Sequence, residues 1–399
     1  MVKRSVLALL FSCLATLRVS AAVFVGYYPE WAHYRVPSTN PFIKKVDPSD
    51  IAAQYLTHIN YAFAKPKEDG SGAVTLFDQW AATGYVYGVA AAANPYSGNL
   101  GQLLDLKKKY PHIKTLLSIG GWTLSNPFPI LAASSKTRSK FVGDAIRLAK
   151  AYSFDGIDID WEFPGFAEHG GTAQDKANFT LLLQELYSKA HAKGLLVTIA
   201  APATIDRLSD IELDKIHKYV DWINIMAYDY NGPWSPNTGI TNHNAPLYKT
   251  AQGNPDYNID ATVAYYLRFV PSEKVVLGLP LYGRAFGGVK GTGDSLFAQY
   301  TSVGKGTVEP GVRSFGDIKT NLLNPSEGYA YYWDSTAKVP YLFNKVSGDF
   351  ISYDNEESLQ LKVRYLKDKK LGGGMVWDLS QDSEKWDGLQ TINNELKAQ

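Results

Sequence analysis

The residues best suited to chemistry in this chain form one short acidic stretch. Asp158, Asp160 and Glu162 stand at every second position, so in a β-strand their side chains project from one face. Three carboxylates this close repel one another, and burial of an unpaired ionised carboxylate favours the uptake of a proton. The pattern therefore predicts a site that keeps one carboxylic acid protonated beside an ionised carboxylate. The alternative is a surface strand with a solvated acidic face.

The neighbours of these residues favour burial. Ile157, Ile159 and Trp161 would project from the opposite face of the same strand, and Pro164 follows shortly after it. Apolar residues on one face indicate packing against a hydrophobic layer, and a proline indicates that the strand gives way to a loop. We therefore expect a buried strand that ends in a loop.

Seven further apolar runs accompany the acidic strand, each followed by turn residues and usually by a helical stretch. The eight predicted strands are Val23–Tyr28, Thr57–Phe63, Lys114–Ile119, Asp155–Trp161, Leu195–Ala200, Asp221–Tyr228, Val275–Leu281 and Leu371–Leu379. The predicted helices include residues 134–152, 172–193, 258–269 and 355–370. Buried strands alternating with helices indicate a parallel sheet, and eight such strands close a TIM (β/α)8 barrel of the α/β class. An open doubly wound sheet is the alternative.

One interval breaks this alternation. Residues 285–353, between the seventh strand and the last helices, are rich in Gly, Tyr and Phe and show little helical periodicity. Alternating stretches at Tyr329–Trp333 and Val339–Phe343 predict strands. We expect a small α+β insertion that raises one wall of a cleft. Only a helix follows the eighth strand, so we expect no appended binding module.

Composition limits the classes of partner. Lys and Arg total 40 and Asp and Glu total 39, so the formal net charge of +1 provides no field to attract nucleic acid or an anionic membrane. The 26 Tyr, 17 Phe and 9 Trp suit both a large core and a groove that stacks on the apolar faces of sugar rings. The 7 His are scattered without the spacing of metal ligands, so we expect no metal and no cofactor.

Residues 1–22 have the pattern of a secretory signal segment. Two basic residues are followed by an apolar run too short to span a bilayer and then by small residues suited to cleavage. We expect cleavage after Ala21 or Ala22 and a secreted, extracellular protein over residues 23–399. The only cysteine, Cys13, lies in the signal segment, so we expect no disulfide in the mature chain.

Five motifs make the chain similar to the chitinases of glycoside hydrolase family 18. Residues 155–162 match the family's DGxDxDxE signature at the fourth strand. The other motifs follow in order at strand ends: Ser118-Ile119-Gly120-Gly121, Met226-Ala227-Tyr228-Asp229, Tyr282-Gly283-Arg284 and Gly374-Met375-Val376-Trp377. The resemblance covers essentially the whole chain beyond the signal segment. It includes the insertion of the family's deep-groove subgroup.

This resemblance implies hydrolysis of the β-1,4 bonds between N-acetylglucosamine units in chitin and chitooligosaccharides. The reaction would retain configuration, because the substrate's own 2-acetamido group attacks and gives an oxazolinium ion. The implied roles are an acid for Glu162, binding of the acetamido N–H for Asp160, and a proton shared with Asp160 for Asp158. Tyr228 would hold the acetamido oxygen in line for attack. The implied substrate-binding residues are Tyr27, Trp31, Phe63, Ser118, Gly121, Trp122, Met226, Asp229, Trp234, Tyr282, Arg284 and Trp377.

The family pattern carries further expectations and leaves two alternatives open. It implies cis peptide bonds at Ala62–Phe63, Glu162–Phe163 and Trp377–Asp378. Phe163 stands where relatives often carry Tyr, so a polar contact is expected to be missing. We expect a monomer that acts on chitin, with no nucleic-acid or membrane partner. The alternatives are an endo-β-N-acetylglucosaminidase acting on N-glycans, which shares the signature, and a non-catalytic chitin-binding lectin, which typically lacks the acid.

Overall fold

The structure is a computed structural model that describes residues 22–36, 42–87, 97–291 and 293–398. The predicted signal segment, including Cys13, lies outside the described residues except for Ala22. Across the described ranges, none of the helices has the length and apolar character needed to cross a membrane.

Eight parallel strands close into a barrel. They are β1 Val23–Pro29, β2 His58–Pro66, β3 Lys114–Gly120, β4 Gly156–Asp160, β5 Leu196–Ala201, β6 Trp222–Ile225, β7 Val275–Pro280 and β8 Gly373–Trp377. Each strand pairs with its neighbours in chain order, and β1 closes the ring by pairing with both β2 and β8. The predicted TIM barrel is therefore confirmed, and the open doubly wound alternative is wrong.

Helices surround the barrel and cover the outer faces of its strands. They are α1 Gly98–Lys109, α2 Phe128–Ala133, α3 Ser135–Ala151, α4 Asp175–His191, α5 Ile205–Leu208, α6 Leu213–Ile216, α7 Ile259–Tyr266, α9 Glu356–Asp368 and α10 Asp387–Lys397, while the short α8 Phe315–Asp317 lies within residues 285–353. Ile157, Ile159 and Trp161 belong to the main hydrophobic core between these layers. Trp161 stacks on Phe128 at 5.2 Å and meets Phe179 edge-on at 5.4 Å. The apolar face of the acidic strand thus anchors β4 to α2 and α4.

Helices α1 and α2 are among those that were not predicted. The first turn of α1 carries Gly98 and Gly101, and glycine weakens helix propensity by about 1 kcal/mol relative to alanine. Helix α2 has only six residues and Pro129 in its first turn, which leaves too little sequence for a periodic pattern. Packing against the barrel, rather than local propensity, stabilises both helices.

A second sheet lies between β7 and α9. Its six strands are Tyr282–Gly287, Ser302–Val303, Val312–Ser314, Ala330–Asp334, Val339–Asn344 and Asp349–Ser352, all paired antiparallel. The two strands predicted here, Tyr329–Trp333 and Val339–Phe343, are confirmed to within one residue. The strand Tyr282–Gly287 was missed, because only Leu281 separates it from β7.

The predicted sixth strand is too long at its end. It stops at Ile225, where successive short turns begin: the amide of Ala227 donates to the carbonyl of Ile225 at 2.8 Å, and that of Tyr228 to Met226 at 2.7 Å. Asp229 follows with φ 59°, in the left-handed region. This turn takes Tyr228 and Asp229 out of the sheet at the carboxyl end of the barrel. The three cis peptide bonds implied by the resemblance are all present.

Candidate active site

Asp158 lies on β4 with its carboxylate fully buried inside the barrel. Its Oδ2 accepts hydrogen bonds from the hydroxyls of Tyr27 at 2.7 Å and Ser118 at 2.8 Å. Its Oδ1 accepts from the hydroxyl of Thr198 at 2.5 Å and the amide of Asn224 at 3.4 Å. Burial raises the pKa of Asp158, and these four donors oppose the shift. Four other strands of the barrel therefore hold this carboxylate in one orientation.

Thr198 and Asn224 are site residues that sequence reasoning missed. Each is a polar residue inside an otherwise apolar predicted strand, and each is fully buried. A buried polar side chain requires a hydrogen-bonding partner, so a polar residue in an apolar run was the available signal. The sequence could not show that the shared partner would be Asp158.

Asp160 is the next inward residue of β4, and its situation differs sharply from that of Asp158. Its side chain is buried, yet Oδ1 has no hydrogen-bond partner. Burial first, and then repulsion by Glu162 and Asp158, raises its pKa well above the usual value. No hydrogen bond joins it to Asp158 among the described residues, so the shared proton stays a prediction. An unpartnered buried carboxylate oxygen is positioned to accept from a donor that enters the site.

Glu162 follows β4 and is held by its main chain. Its amide donates to Oγ of Ser125 at 2.8 Å, and its carbonyl oxygen lies 2.6 Å from Nδ1 of His169. Burial, and then the negative charge of Asp229, raises the pKa of the Glu162 carboxyl to about 8, while the main-chain amide of Trp122 lowers it. At neutral pH this carboxyl is therefore protonated and able to act as an acid. Neither Ser125 nor His169 was predicted from the sequence.

An aromatic cluster forms one surface beside the carboxylates. The indole of Trp377 lies 5.7 Å from the ring of Tyr27, 6.1 Å from that of Phe63 and 6.5 Å from that of Trp31, measured between centroids. Trp377 and Phe63 are nearly parallel, with an interplanar angle of 21°. Gly121 has φ 95°, and a Cβ there would meet Phe63 at 2.7 Å. The glycine therefore permits the close approach of the β3 loop to this cluster.

A second group joins the end of β6 to the second sheet. Arg284 donates from Nε and Nη2 to the two carboxylate oxygens of Asp229, at 2.7 and 2.6 Å. The hydroxyl of Tyr282 donates to the same carboxylate at 2.8 Å. The guanidinium of Arg284 lies 5.6 Å from the ring of Trp234, which is 57% exposed. These four predicted residues contact one another in a chain that ends at an exposed indole.

Tyr228 connects the two groups. Its ring lies 5.9 Å from that of Tyr282 in an edge-on arrangement, and its hydroxyl lies 3.8 Å from Sδ of Met375 inside the barrel. Burial raises its pKa well above 10, so the hydroxyl keeps its proton and can donate it in a hydrogen bond. Met226 packs on the same cluster as the aromatic side chains around Trp377.

Trp122 stands apart from these groups, on the loop after β3. Its indole is 50% exposed and contacts the rings of Phe163, Phe166 and His169, with centroids 6.4, 5.5 and 4.7 Å away. Phe163 thus packs against this indole. Within the described ranges, no cluster of three or more His, Cys, Asp or Glu side chains could hold a metal ion.

Comparison with known proteins agrees with this arrangement. The model of the family "Glycosyl hydrolases family 18" matches residues 23–382. Chitinase A1 of Niallia circulans is 39% identical over 94% of this chain, and the match spans 58% of that relative's length. Chitinase 1 of Aphanocladium album is 35% identical over 92% of this chain, and the match spans 84% of that relative's length. Among solved structures, chitinase ChiA74 from Bacillus thuringiensis superposes with a TM-score of 0.85 at 35% identity, covering 94% of this chain and 70% of that one. This chain therefore belongs to family 18 of the glycosyl hydrolases.

Proposed function

We propose that this protein is a chitinase that cleaves β-1,4 bonds between N-acetylglucosamine units of chitin and chitooligosaccharides. The observation that carries the proposal is the state of the three carboxyl groups. Asp158 is saturated with donors, Asp160 offers a buried unpartnered oxygen, and Glu162 has a pKa raised to about 8. One fixed carboxyl group, one free acceptor and one proton donor are what attack by an acetamido group requires. The names of the relatives support the same substrate.

The chemical steps follow from the position of the acid. Glu162 gives its proton to the glycosidic oxygen as the bond from that oxygen to the anomeric carbon breaks. The acetamido carbonyl oxygen of the same sugar forms a bond to the anomeric carbon and produces an oxazolinium ion. The Glu162 carboxylate then takes a proton from water, the water oxygen adds to the anomeric carbon, and the oxazolinium ring opens. Two inversions at one carbon give net retention.

Asp160 supports the attacking group. Its Oδ1 would accept from the acetamido N–H, which turns the group toward the anomeric carbon and offsets the positive charge of the oxazolinium ion. The four donors around Asp158 fix its carboxylate. Strand β4 therefore holds the neighbouring Asp160 in a constant position. Tyr228 would donate to the acetamido carbonyl oxygen. Asp160 and Glu162 repel each other when both are ionised, so one of the two carboxyl groups keeps a proton. The two groups therefore titrate as a pair.

The aromatic side chains would bind the sugar rings on both sides of the cleaved bond. Trp377 would stack under the reacting sugar, and Trp31 would extend that surface on the non-leaving side. The exposed indoles of Trp122 and Trp234 would serve the leaving-group side. We also propose that the protein acts as a secreted monomer, with residues 1–22 removed and residues 285–353 as the insertion in a catalytic unit over residues 23–399.

The test uses chitohexaose and the full protein. The wild type should cleave the hexamer and release products whose newly formed reducing ends are first β, as NMR of the anomeric protons will show. Glu162→Gln keeps the size of the side chain but cannot donate a proton, so it should bind the hexamer and reduce turnover by about a thousandfold or more. Asp160→Asn should also abolish most turnover. Release of glycans from a glycoprotein with no cleavage of the hexamer would contradict the proposal.

A further inference from the structure

One histidine lies between the acid and an exposed indole. His169 ends a short turn, Ala167–His169, that follows the end of β4 by a few residues. Its Nδ1 lies 2.6 Å from the carbonyl oxygen of Glu162, and its ring lies 4.7 Å from that of Trp122 with an interplanar angle of 62°. A carbonyl oxygen has no proton, so Nδ1–H must be the donor. The same imidazole therefore holds the main chain of Glu162 and supports the indole.

The imidazole is itself held in place. The amide of His169 donates to the carbonyl of Phe166 at 3.0 Å, and the amide of Gly171 donates to the same oxygen at 2.9 Å. Gly170 ends the turn with φ 74°, in the left-handed region. The ring of Phe166 meets the imidazole edge-on at 5.0 Å, and the guanidinium of Arg207 lies 4.3 Å from that phenyl ring. Because these contacts fix the imidazole ring, a shift of one residue that touches it would also displace the others.

One side chain therefore links the two residues, because His169 bridges the Glu162 carbonyl to the Trp122 indole. The main-chain amide of Trp122 also lowers the pKa of the Glu162 carboxyl. Displacement of the indole would therefore be felt at the main chain of Glu162. We propose that His169 is a positioning residue that couples the Trp122 indole, where the leaving-group sugar would stack, to the main chain of the acid Glu162. This inference rests on the proposed function, because it assigns Trp122 and Glu162 their roles.

Two substitutions separate the two contacts of the imidazole. His169→Phe keeps an aromatic ring against Trp122 but removes the donor to Glu162. His169→Asn keeps an N–H near the position of Nδ1 but removes the ring. The measurements are kcat and KM for chitohexaose, whose leaving group is a sugar, and for 4-methylumbelliferyl chitobioside, whose aryl leaving group needs little proton donation.

Each variant should change a different parameter. His169→Phe should lower kcat for the hexamer about fivefold and leave kcat for the aryl substrate nearly unchanged. Only the sugar leaving group needs a proton from a correctly positioned Glu162. His169→Asn should raise KM for the hexamer about threefold with a smaller change in kcat. Thermal unfolding of both variants tests whether the fold is intact. His112→Phe and His112→Asn are the matched controls, because the exposed His112 precedes β3 at the opposite end of the barrel.

The outcomes distinguish the inference from the proposed function. Selective loss on the hexamer by His169→Phe, with the control variants unchanged, supports the coupling. If the wild type cleaves the hexamer and Glu162→Gln does not, but both His169 variants match the wild type or lose equally on the two substrates, the coupling is wrong and the proposed function stands. If the wild type does not cleave the hexamer at all, both are wrong.

Discussion

Arg284 holds Asp229 through two parallel hydrogen bonds, from Nε at 2.7 Å and from Nη2 at 2.6 Å. Asp229 sits at φ 59°, in the left-handed region that residues other than glycine adopt uncommonly. Its negative charge is also one cause of the raised pKa of Glu162. The second sheet, which supplies Arg284, therefore acts on the acid of the barrel through Asp229.

Replacing Arg284 by Lys should reduce activity without unfolding the protein. A lysine keeps the charge but cannot contact both carboxylate oxygens in the geometry of a guanidinium. We expect kcat/KM for chitohexaose to fall about tenfold, since the side chains of Asp229 and Tyr282 lose their fixed positions. Arg364→Lys is the control, because Arg364 makes a similar two-bond pair with Glu395 on the exposed surface. An equal loss in both variants would contradict this account.

The pH dependence of activity should report the acid Glu162. Its pKa is raised to about 8, and it acts in the protonated form, so kcat/KM should stay high through neutral pH. Above pH 8 the protonated fraction falls, and the rate should fall about tenfold per pH unit. Asp229→Asn removes a charge that raises this pKa, so the basic limb of the profile should move to lower pH. A basic limb near pH 4.5 in the wild type would refute the assignment.

Most of the barrel could be predicted because its strands carry their own signal. Parallel strands are buried on both faces, so β3, β5 and β7 appear as short apolar runs whose ends were predicted within a residue or two. Helix α1 was missed although Leu100, Leu103 and Leu106 are buried at helical spacing, because Gly98 and Gly101 weaken the helix propensity of its first turn. The hydrophobic pattern does not predict the change of sheet at Leu281, because this single residue separates β7 from the strand Tyr282–Gly287.

Residue spacing predicted only the relative positions of site residues that lie close together in the sequence. Alternation along β4 placed Asp158 and Asp160 on one face, whereas the donor Asn224 is 66 residues away from Asp158 in sequence and meets it only through barrel closure. The signature also includes Asp155, which lies at the opposite end of β4. There it pairs with Lys107 at 2.7 Å and accepts from the amide of Thr115 at 2.8 Å. A single motif thus combines residues of the site with a residue that fixes the strand.

Gly121→Ala should damage both stability and activity. The residue has φ 95° and ψ 167°, a region used almost only by glycine where a side chain costs about 1 to 3 kcal/mol, and the new Cβ would lie 2.7 Å from the Phe63 ring. We expect a lower thermal midpoint and a reduced kcat/KM, because Phe63 belongs to the cluster around Trp377. Gly143→Ala is the matched control in α3, where a Cβ meets nothing within 4 Å, and it should stabilise the protein by about 0.5 to 1 kcal/mol. Similar losses in both variants would contradict the argument from local geometry.

Glu30 should make the folded protein less stable as the pH rises. Its carboxyl group is fully buried beside Trp31, with the Tyr61 hydroxyl donating to Oε2 at 2.6 Å and the Asp78 amide to Oε1 at 3.0 Å. Burial raises its pKa to about 8, and the two hydrogen bonds only partly oppose the shift. The folded state therefore holds this proton more tightly than the unfolded state, whose carboxyl titrates near pH 4.5.

Glu30→Gln isolates this contribution, because the amide fills the same space but does not ionise. Below about pH 4.5 both states of the wild type are protonated at this position, so Glu30 adds no pH dependence there. Between pH 4.5 and 8 the wild type should lose up to about 5 kcal/mol of unfolding free energy that the variant keeps, and above pH 8 the difference should be constant. Urea unfolding at pH 5 and pH 8 measures it, and equal pH dependence in the two proteins would show that Glu30 is ionised in the fold.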